Sequence, residues 1–152
     1  MQCVVIREIH QPLNKMMRTK TYSELRALDT FEERFRYLKV PGILGAETFG
    51  FDRWINQRFY KSYEWDHVRS YVITRDSGCD LGVPGYEIYS GLLVHHMNPI
   101  SLDDIKQGDE SLIDPEFLIT TSLQTHNAIH YGDESLLPRR PVVRQRGDTT
   151  LW

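Results

Sequence analysis

The sequence LLVHH at residues 92–96 ends in two adjacent histidines, and THNAIH at residues 125–130 holds two more, spaced four apart. Side chains four residues apart project from the same face of a helix, so His126 and His130 can present two imidazoles to one point. Adjacent strand residues project to opposite faces, so the two histidines of the first segment are expected to have different roles. One of them can complete a three-histidine metal site, while the other is left for proton transfer.

The length and composition of the chain are those of one globular domain. It has 152 residues, of which 40% are hydrophobic and 26% are charged. A chain of this kind can bury a core, and it does not belong to the disordered or collagen-like classes. We therefore expect a single domain over residues 1–152.

The sequence indicates a cytoplasmic protein without a membrane partner. No apolar run is long enough to span a bilayer, and the N-terminal MQCVVIRE lacks the basic and apolar regions of a signal peptide. The two cysteines, Cys3 and Cys79, are too few for a multi-disulfide framework or for a structural zinc site of paired CxxC motifs. Reduced thiols are the expected state.

Global charge gives no support for binding to nucleic acid, because the formal net charge is -3 and the pI is about 6.1. Two local groups of basic residues remain. The first is interleaved with acidic residues on a helical stretch, so a solvated helix face explains it equally well: Arg53, Arg58, Lys61, Arg69 and Arg75. The second lies in a C-terminal tail (133–152), where Pro138 and Pro141 favour an extended backbone that can follow phosphates: Arg139, Arg140, Arg144 and Arg146.

Local patterns in the first half of the chain, residues 1–78, predict helices. Thr30 and Glu33 have the spacing of a capping box and open a short helix that ends at Pro41. Apolar residues then recur with the 3.6-residue period over residues 51–60. Ser62 can cap a further helix through residue 74, which DSG at residues 76–78 ends.

The period changes in the second half, and the chain as a whole is expected to be α+β. Residues 86–94 are rich in β-formers and predict a first strand that ends at the histidine pair, and residues 117–121 predict a second strand after a polar loop at 101–114. The helix that bears the second histidine pair follows, capped by Thr121 or Ser122 and ended by Gly132.

These segments resemble the HNH (His-Me finger) endonucleases, closest to phage-encoded HNH proteins and the nuclease colicins: LVHHMNPI at 93–100, DPEFLITT at 114–121 and THNAIH at 125–130. In the nuclease-colicin pattern an asparagine opens the second strand, and histidines follow nine and thirteen residues later; here that spacing runs from Phe117. The upstream WDHVRSYVITRD at 65–76 is similar to the helix that precedes the motif in phage HNH proteins. The resemblance implies a ββα-metal finger over residues 86–132.

The resemblance also implies a division of roles among the histidines. It places one divalent metal ion on His95, His126 and His130, and it makes His96 the general base that deprotonates water. Mg²⁺ or Mn²⁺ would serve catalysis, and three imidazoles also suit Zn²⁺ or Ni²⁺. The implied activity is cleavage of DNA to 3′-hydroxyl and 5′-phosphate ends by a phage-encoded enzyme in the host cytoplasm, with phage packaging proteins as possible partners.

Two departures from the family pattern leave other functions open. Phe117 stands where the family has the asparagine that braces the finger, and Cys79 stands alone where many phage relatives carry paired cysteines for a structural zinc. A degenerate finger could act as a DNA-binding or packaging-complex subunit without catalysis. A third possibility is a metal hydrolase that acts on a small phosphoester.

The remaining histidines and the tryptophans are assigned to structure. His10 and His67 have no neighbouring motif that would indicate a metal or a catalytic role. Trp54, Trp65 and Trp152 are expected to pack against apolar side chains rather than to stack on bases.

Overall fold

The computed structural model describes residues 19–40 and 53–138, without the side chains of residues 53–55. Within these ranges the chain is mixed α+β, with helices and two small antiparallel sheets, which confirms the predicted fold class at this level. None of the described helices has both the length and the apolar character needed to cross a bilayer. Several sequence predictions lie outside the described residues: those for Cys3, His10, Arg139, Arg140, Arg144, Arg146 and Trp152. The predictions for Arg53 and Trp54 concern side chains that the structure does not describe.

In the described part of the first half, the chain is helical: α1 (Tyr22–Arg26), α2 (Phe31–Leu38), α3 (Arg53–Tyr60) and α4 (Tyr63–Arg75). The predicted capping box opens α2, since the Thr30 hydroxyl accepts the Glu33 N–H and the Glu33 carboxylate accepts the Thr30 N–H. Ser62 caps α4 by accepting the Trp65 N–H. The predicted starts of these two helices are therefore confirmed.

The second half contains two pairs of strands and two helices: β1 (Cys79–Asp80), β2 (Tyr86–Glu87), β3 (Leu92–His96), α5 (Leu102–Gln107), β4 (Leu118–Ser122) and α6 (Leu123–Tyr131). Short 3-10 turns lie at Glu110–Ile113, Pro115–Phe117 and Glu134–Leu136. β1 pairs with β2, and β3 pairs with β4, with His95 opposite Ile119 and His96 opposite Leu118. Ser122 and Gly132 cap the two ends of α6, as predicted.

The β3–β4 pair lies between two apolar layers, and this places the two adjacent histidines on opposite sides. One layer contains α1, α2 and α6 and is built from Leu25, Leu38, Leu81, Met97, Ile119 and Ile129. The other contains α4 and is built from Trp65, Val68, Val72 and Leu118. Because strand side chains alternate, His95 shares the side of α6 and His96 shares the side of α4.

The prediction of one strand over residues 86–94 is wrong. Residues 86–87 pair with β1, whereas β3 begins only at residue 92 and pairs with β4. The break contains Gly91, whose φ of 69° is in the left-handed region that a strand cannot use. The Gly91 carbonyl accepts the N–H of Leu123, so this turn holds the start of α6.

The prediction of a loop over residues 101–114 is also wrong, because α5 and a 3-10 turn lie within it. Ser101 and Asp104 form a capping box at the start of α5, and Gly108, with φ 67°, ends the helix. The SLDD sequence at 101–104 contains the residues of this capping box, but the segment lacks the apolar periodicity that would predict a helix. The second strand also begins one residue later than predicted, because Phe117 belongs to the preceding 3-10 turn.

Buried carboxylates complete the outer edge of β4. Asp76 accepts the N–H of Thr120 at 2.8 Å, and Asp80 accepts the N–H of Ser122 at 3.0 Å. Between them the Leu81 N–H donates to the Thr120 carbonyl at 3.0 Å. Side chains from the end of α4 and from β1 therefore satisfy backbone groups that a third strand would otherwise bind.

Candidate metal centre

Three histidines from two elements meet beside the β3–β4 pair. His95 comes from β3, and His126 and His130 lie one turn apart on α6. The ring centroids of His95 lie 5.2 Å from His126 and 5.1 Å from His130, and those of the α6 pair lie 4.3 Å apart. One ring nitrogen from each residue falls within 4.8 Å of the other two. The structure thus brings together the three residues predicted as metal ligands.

One nitrogen on each of these rings is buried without a hydrogen-bond partner among the described residues: His95 Nε2, His126 Nδ1 and His130 Nδ1. Leaving a buried polar atom unpaired is costly, so three such atoms in one cluster call for a ligand. A tetrahedral metal with bonds of 2.0–2.1 Å holds its nitrogen ligands about 3.4 Å apart. Rings whose nitrogens already lie within 4.8 Å need only a small closure to reach that geometry.

The three rings are in the neutral form that binds metal. Burial, and to a smaller extent the neighbouring His126, lowers the pKa of His130 to about 4. Burial also brings the pKa of His95 well below its ordinary 6.5, with further lowering from His126 and His130. The pKa of His126 is lowered by burial as well, partly offset by a hydrogen bond with Asn127. No proton therefore has to be displaced at neutral pH before a cation binds.

His96 lies on the other side of the strand in an aromatic setting. Its ring stacks on Trp65, with centroids 5.1 Å apart and planes at 17°, and Phe59 and Tyr60 lie at 6.3 Å and 6.4 Å. Trp65 is 5% exposed, so the prediction that it packs in the core is confirmed. Burial lowers the pKa of His96 to about 4, against a smaller raising effect from the Leu112 carbonyl.

The hydrogen bond of His96 determines which of its nitrogens is free. Nε2 lies 2.9 Å from the Leu112 carbonyl oxygen, and a carbonyl only accepts, so Nε2 carries the proton. In the neutral ring Nδ1 is then the unprotonated nitrogen. If His96 acts as a base, Nδ1 is the atom that receives the proton.

A cavity of about 390 Å³ adjoins His96. Its lining includes Lys20, Asn98, Leu112 and Phe117. Such a volume suits a small group or one unit of a polymer. Phe117, at the family's asparagine position, contributes packing here, while its carbonyl accepts the N–H of Met97 and closes the end of the β3–β4 pair.

The loop after β3 is braced by the side chain of Asn98 and not by a side chain at position 117. The Asn98 side chain accepts the Lys20 N–H at 2.7 Å and donates to the Lys20 carbonyl at 2.9 Å. Sequence reasoning assigned Asn98 only to a turn and Asp76 only to the end of a helix, and it gave no role to Lys20 or Asp80. Each of these residues acts through contacts across long stretches of the chain, which no local pattern reveals.

The basic residues predicted on the helices separate into two kinds. Arg75 is engaged in structure, since it pairs with Asp76, donates to the carbonyls of Pro115 and Leu118, and lies 3.6 Å from the ring centroid of Tyr22. Arg58 and Lys61 are exposed, and Arg69 is half-buried. His67, assigned to structure, is exposed and stacks on Tyr63.

We expect Ni²⁺ or Zn²⁺ to raise the melting temperature of the wild-type protein, because a ligand that binds only the folded state stabilises it by mass action. At a concentration 100 times the Kd the gain is about 2.7 kcal/mol. His126→Ala and His130→Ala should each lose most of this shift, whereas His67→Ala should keep it. Differential scanning fluorimetry with and without metal measures the effect, and equal shifts in all four proteins would contradict the assignment of these ligands.

Comparison of the chain with protein-family models, with curated proteins and with solved structures finds no match.

Proposed function

We propose that this protein is a metal-dependent endonuclease that hydrolyses phosphodiester bonds of DNA. The observation that carries the proposal is the cluster of three unpaired, buried imidazole nitrogens on β3 and α6. Its strand, strand and helix order and its histidine spacing resemble the ββα-metal finger of HNH endonucleases. His96, the residue after His95 on β3, is neutral and supplies the general base that hydrolysis also needs.

His95, His126 and His130 are the residues that would hold the ion, which when bound polarises the scissile phosphate and stabilises the leaving oxygen. His96 Nδ1 accepts the proton of the attacking water. The Leu112 carbonyl fixes the tautomer that leaves Nδ1 free. Stacking on Trp65 holds the plane of the ring.

DNA, rather than a small phosphoester, is the proposed substrate because the resemblance is to nucleases and because basic residues flank the finger in sequence. Arg139, Arg140, Arg144 and Arg146 are the proposed phosphate contacts. A phage-encoded protein in the host cytoplasm, which works beside packaging proteins, is the proposed setting.

The proposal is tested by incubating supercoiled plasmid with the purified protein and Mg²⁺, Mn²⁺ or Ni²⁺, with EDTA as the control. We expect nicked or linear plasmid only in the presence of metal. Turnover of a chromogenic phosphodiester without plasmid cleavage would instead indicate a small-substrate hydrolase.

Phe117 at the family's asparagine position favours one competing function, a non-catalytic DNA-binding or packaging-complex subunit. Gel-shift binding of DNA together with intact plasmid under every metal condition would support that function and contradict the nuclease proposal.

A further inference from the structure

Lys20 is tied to the strand that carries His95 and His96. Its backbone N–H donates to Asn98 Oδ1 at 2.7 Å, and its carbonyl accepts Asn98 Nδ2 at 2.9 Å. Asn98 lies two residues beyond the end of β3. The reciprocal pair of hydrogen bonds therefore sets the position of Lys20 relative to the histidine-bearing strand.

The ammonium of the same residue is tied to the side of the site that carries α6. Lys20 Nζ donates to the carbonyls of Leu38 at 2.8 Å and Lys39 at 3.2 Å. The next residue, Val40, donates its N–H to the carbonyl of Ile129, which precedes His130 on α6. Lys20 thus bridges the two elements that build the histidine cluster.

The charge of Lys20 has no counterion in the part of the chain that the structure describes. The residue is half-buried, and burial lowers its pKa, as expected for a cation that lacks a carboxylate partner. An ammonium has three N–H donors, and the two carbonyls account for two of them. One donor is left for an anion.

Lys20 lies beside the histidine proposed as the general base. Lys20 and His96 line the same cavity. The carboxylates in that cavity, Asp104 and Asp109, accept backbone N–H groups at the starts of α5 and of the following 3-10 turn.

We propose that Lys20 is an anion-binding residue of this site and that it holds a phosphate oxygen of the substrate in the cavity that His96 lines. The identification of the anion as a phosphodiester rests on the proposed function. A fixed ammonium in the cavity that His96 lines would hold a phosphate oxygen, which orients the group for attack. The hydrogen bonds to the carbonyls of Leu38 and Lys39 hold the long Lys20 side chain in place.

The test uses full-length protein loaded with Ni²⁺, inorganic phosphate as the probe, and the variant Lys20→Met, which keeps the length of the side chain and removes its charge. We expect the affinity for phosphate, measured by calorimetry, to fall by about tenfold or more. The affinity for Ni²⁺ should rise by about threefold, because a repelling positive charge is gone. Lys20→Arg should retain phosphate binding, and Lys106→Met, which removes an exposed charge on α5, should change neither affinity.

Opposite changes in the two affinities separate anion binding from a merely structural role, which would weaken both. Unchanged phosphate affinity in Lys20→Met, loss of both affinities, or a wild-type protein that binds no phosphate would each overturn the inference. Failure of the proposed nuclease function would give a different result. The plasmid would stay intact, while the affinities for phosphate and Ni²⁺ would still change in Lys20→Met as expected.

Discussion

Replacing His96 by alanine is expected to lower the rate of DNA cleavage by about 10²–10⁴-fold, the contribution that a positioned general base makes. Metal binding should stay close to wild type, because His96 lies on the opposite side of β3 from the cluster. The measurements are single-turnover cleavage of a labelled duplex and calorimetric titration with Ni²⁺. His67→Ala is the matched control, since it removes an exposed histidine from α4 and should change neither quantity.

A second variant separates catalysis from folding. His96→Gln keeps a side chain that can donate to the Leu112 carbonyl, but an amide is not a base, so it should retain the melting temperature and lose cleavage. A large loss of metal affinity in His96→Ala would show that the roles of the adjacent histidines are exchanged. Cleavage at the wild-type rate in both variants would remove His96 from the mechanism.

Asp80→Ala is expected to lower the free energy of unfolding by about 2–4 kcal/mol. The Asp80 carboxylate accepts the N–H groups of Gly82 and Ser122 and, at 2.5 Å, the hydroxyl of Thr125. Alanine leaves these buried donors without an acceptor. Burial raises the pKa of Asp80, so part of the loss is offset by removing a carboxylate that is costly to desolvate.

Urea denaturation followed by circular dichroism measures this loss. Asp66→Ala is the control because Asp66 is exposed on α4, and its effect should be within about 0.5 kcal/mol. Metal affinity should also fall in Asp80→Ala, since Ser122 caps α6 and Thr125 precedes His126. A variant as stable as wild type would mean that water or a rearranged side chain satisfies the three donors.

Local signals in the sequence were enough to predict the starts of α2, α4 and α6 and the pairing of histidines, but not α5. The capping box of α2 and the spacing of four between His126 and His130 depend only on residues within one turn, so they are readable without the fold. The opposite placement of His95 and His96 follows in the same way from the alternation of strand side chains.

What the sequence did not reveal depends on partners far along the chain. Asp76 and Asp80 bind β4 backbone groups 44 and 42 residues away, and Asn98 binds Lys20 over 78 residues. Periodicity and capping patterns carry no information about such pairs. The break in the predicted strand at Gly91 was missed for a related reason. β propensity describes the preference of each residue alone, whereas only the pairing of β1 with β2 shows that residues 86–87 belong to a different sheet from β3.

The buried carboxylates of Asp76 and Asp80 also affect whether two copies of the protein can associate by pairing of β4. A strand with a row of unpaired amides can recruit a strand from a second molecule and seed aggregation. Asp76 and Asp80 occupy the outward amides of Thr120 and Ser122, and they do so from buried positions that a foreign strand cannot displace. The chain therefore protects its fully buried strand β4 from intermolecular pairing with two side chains, without adding a further strand to the sheet.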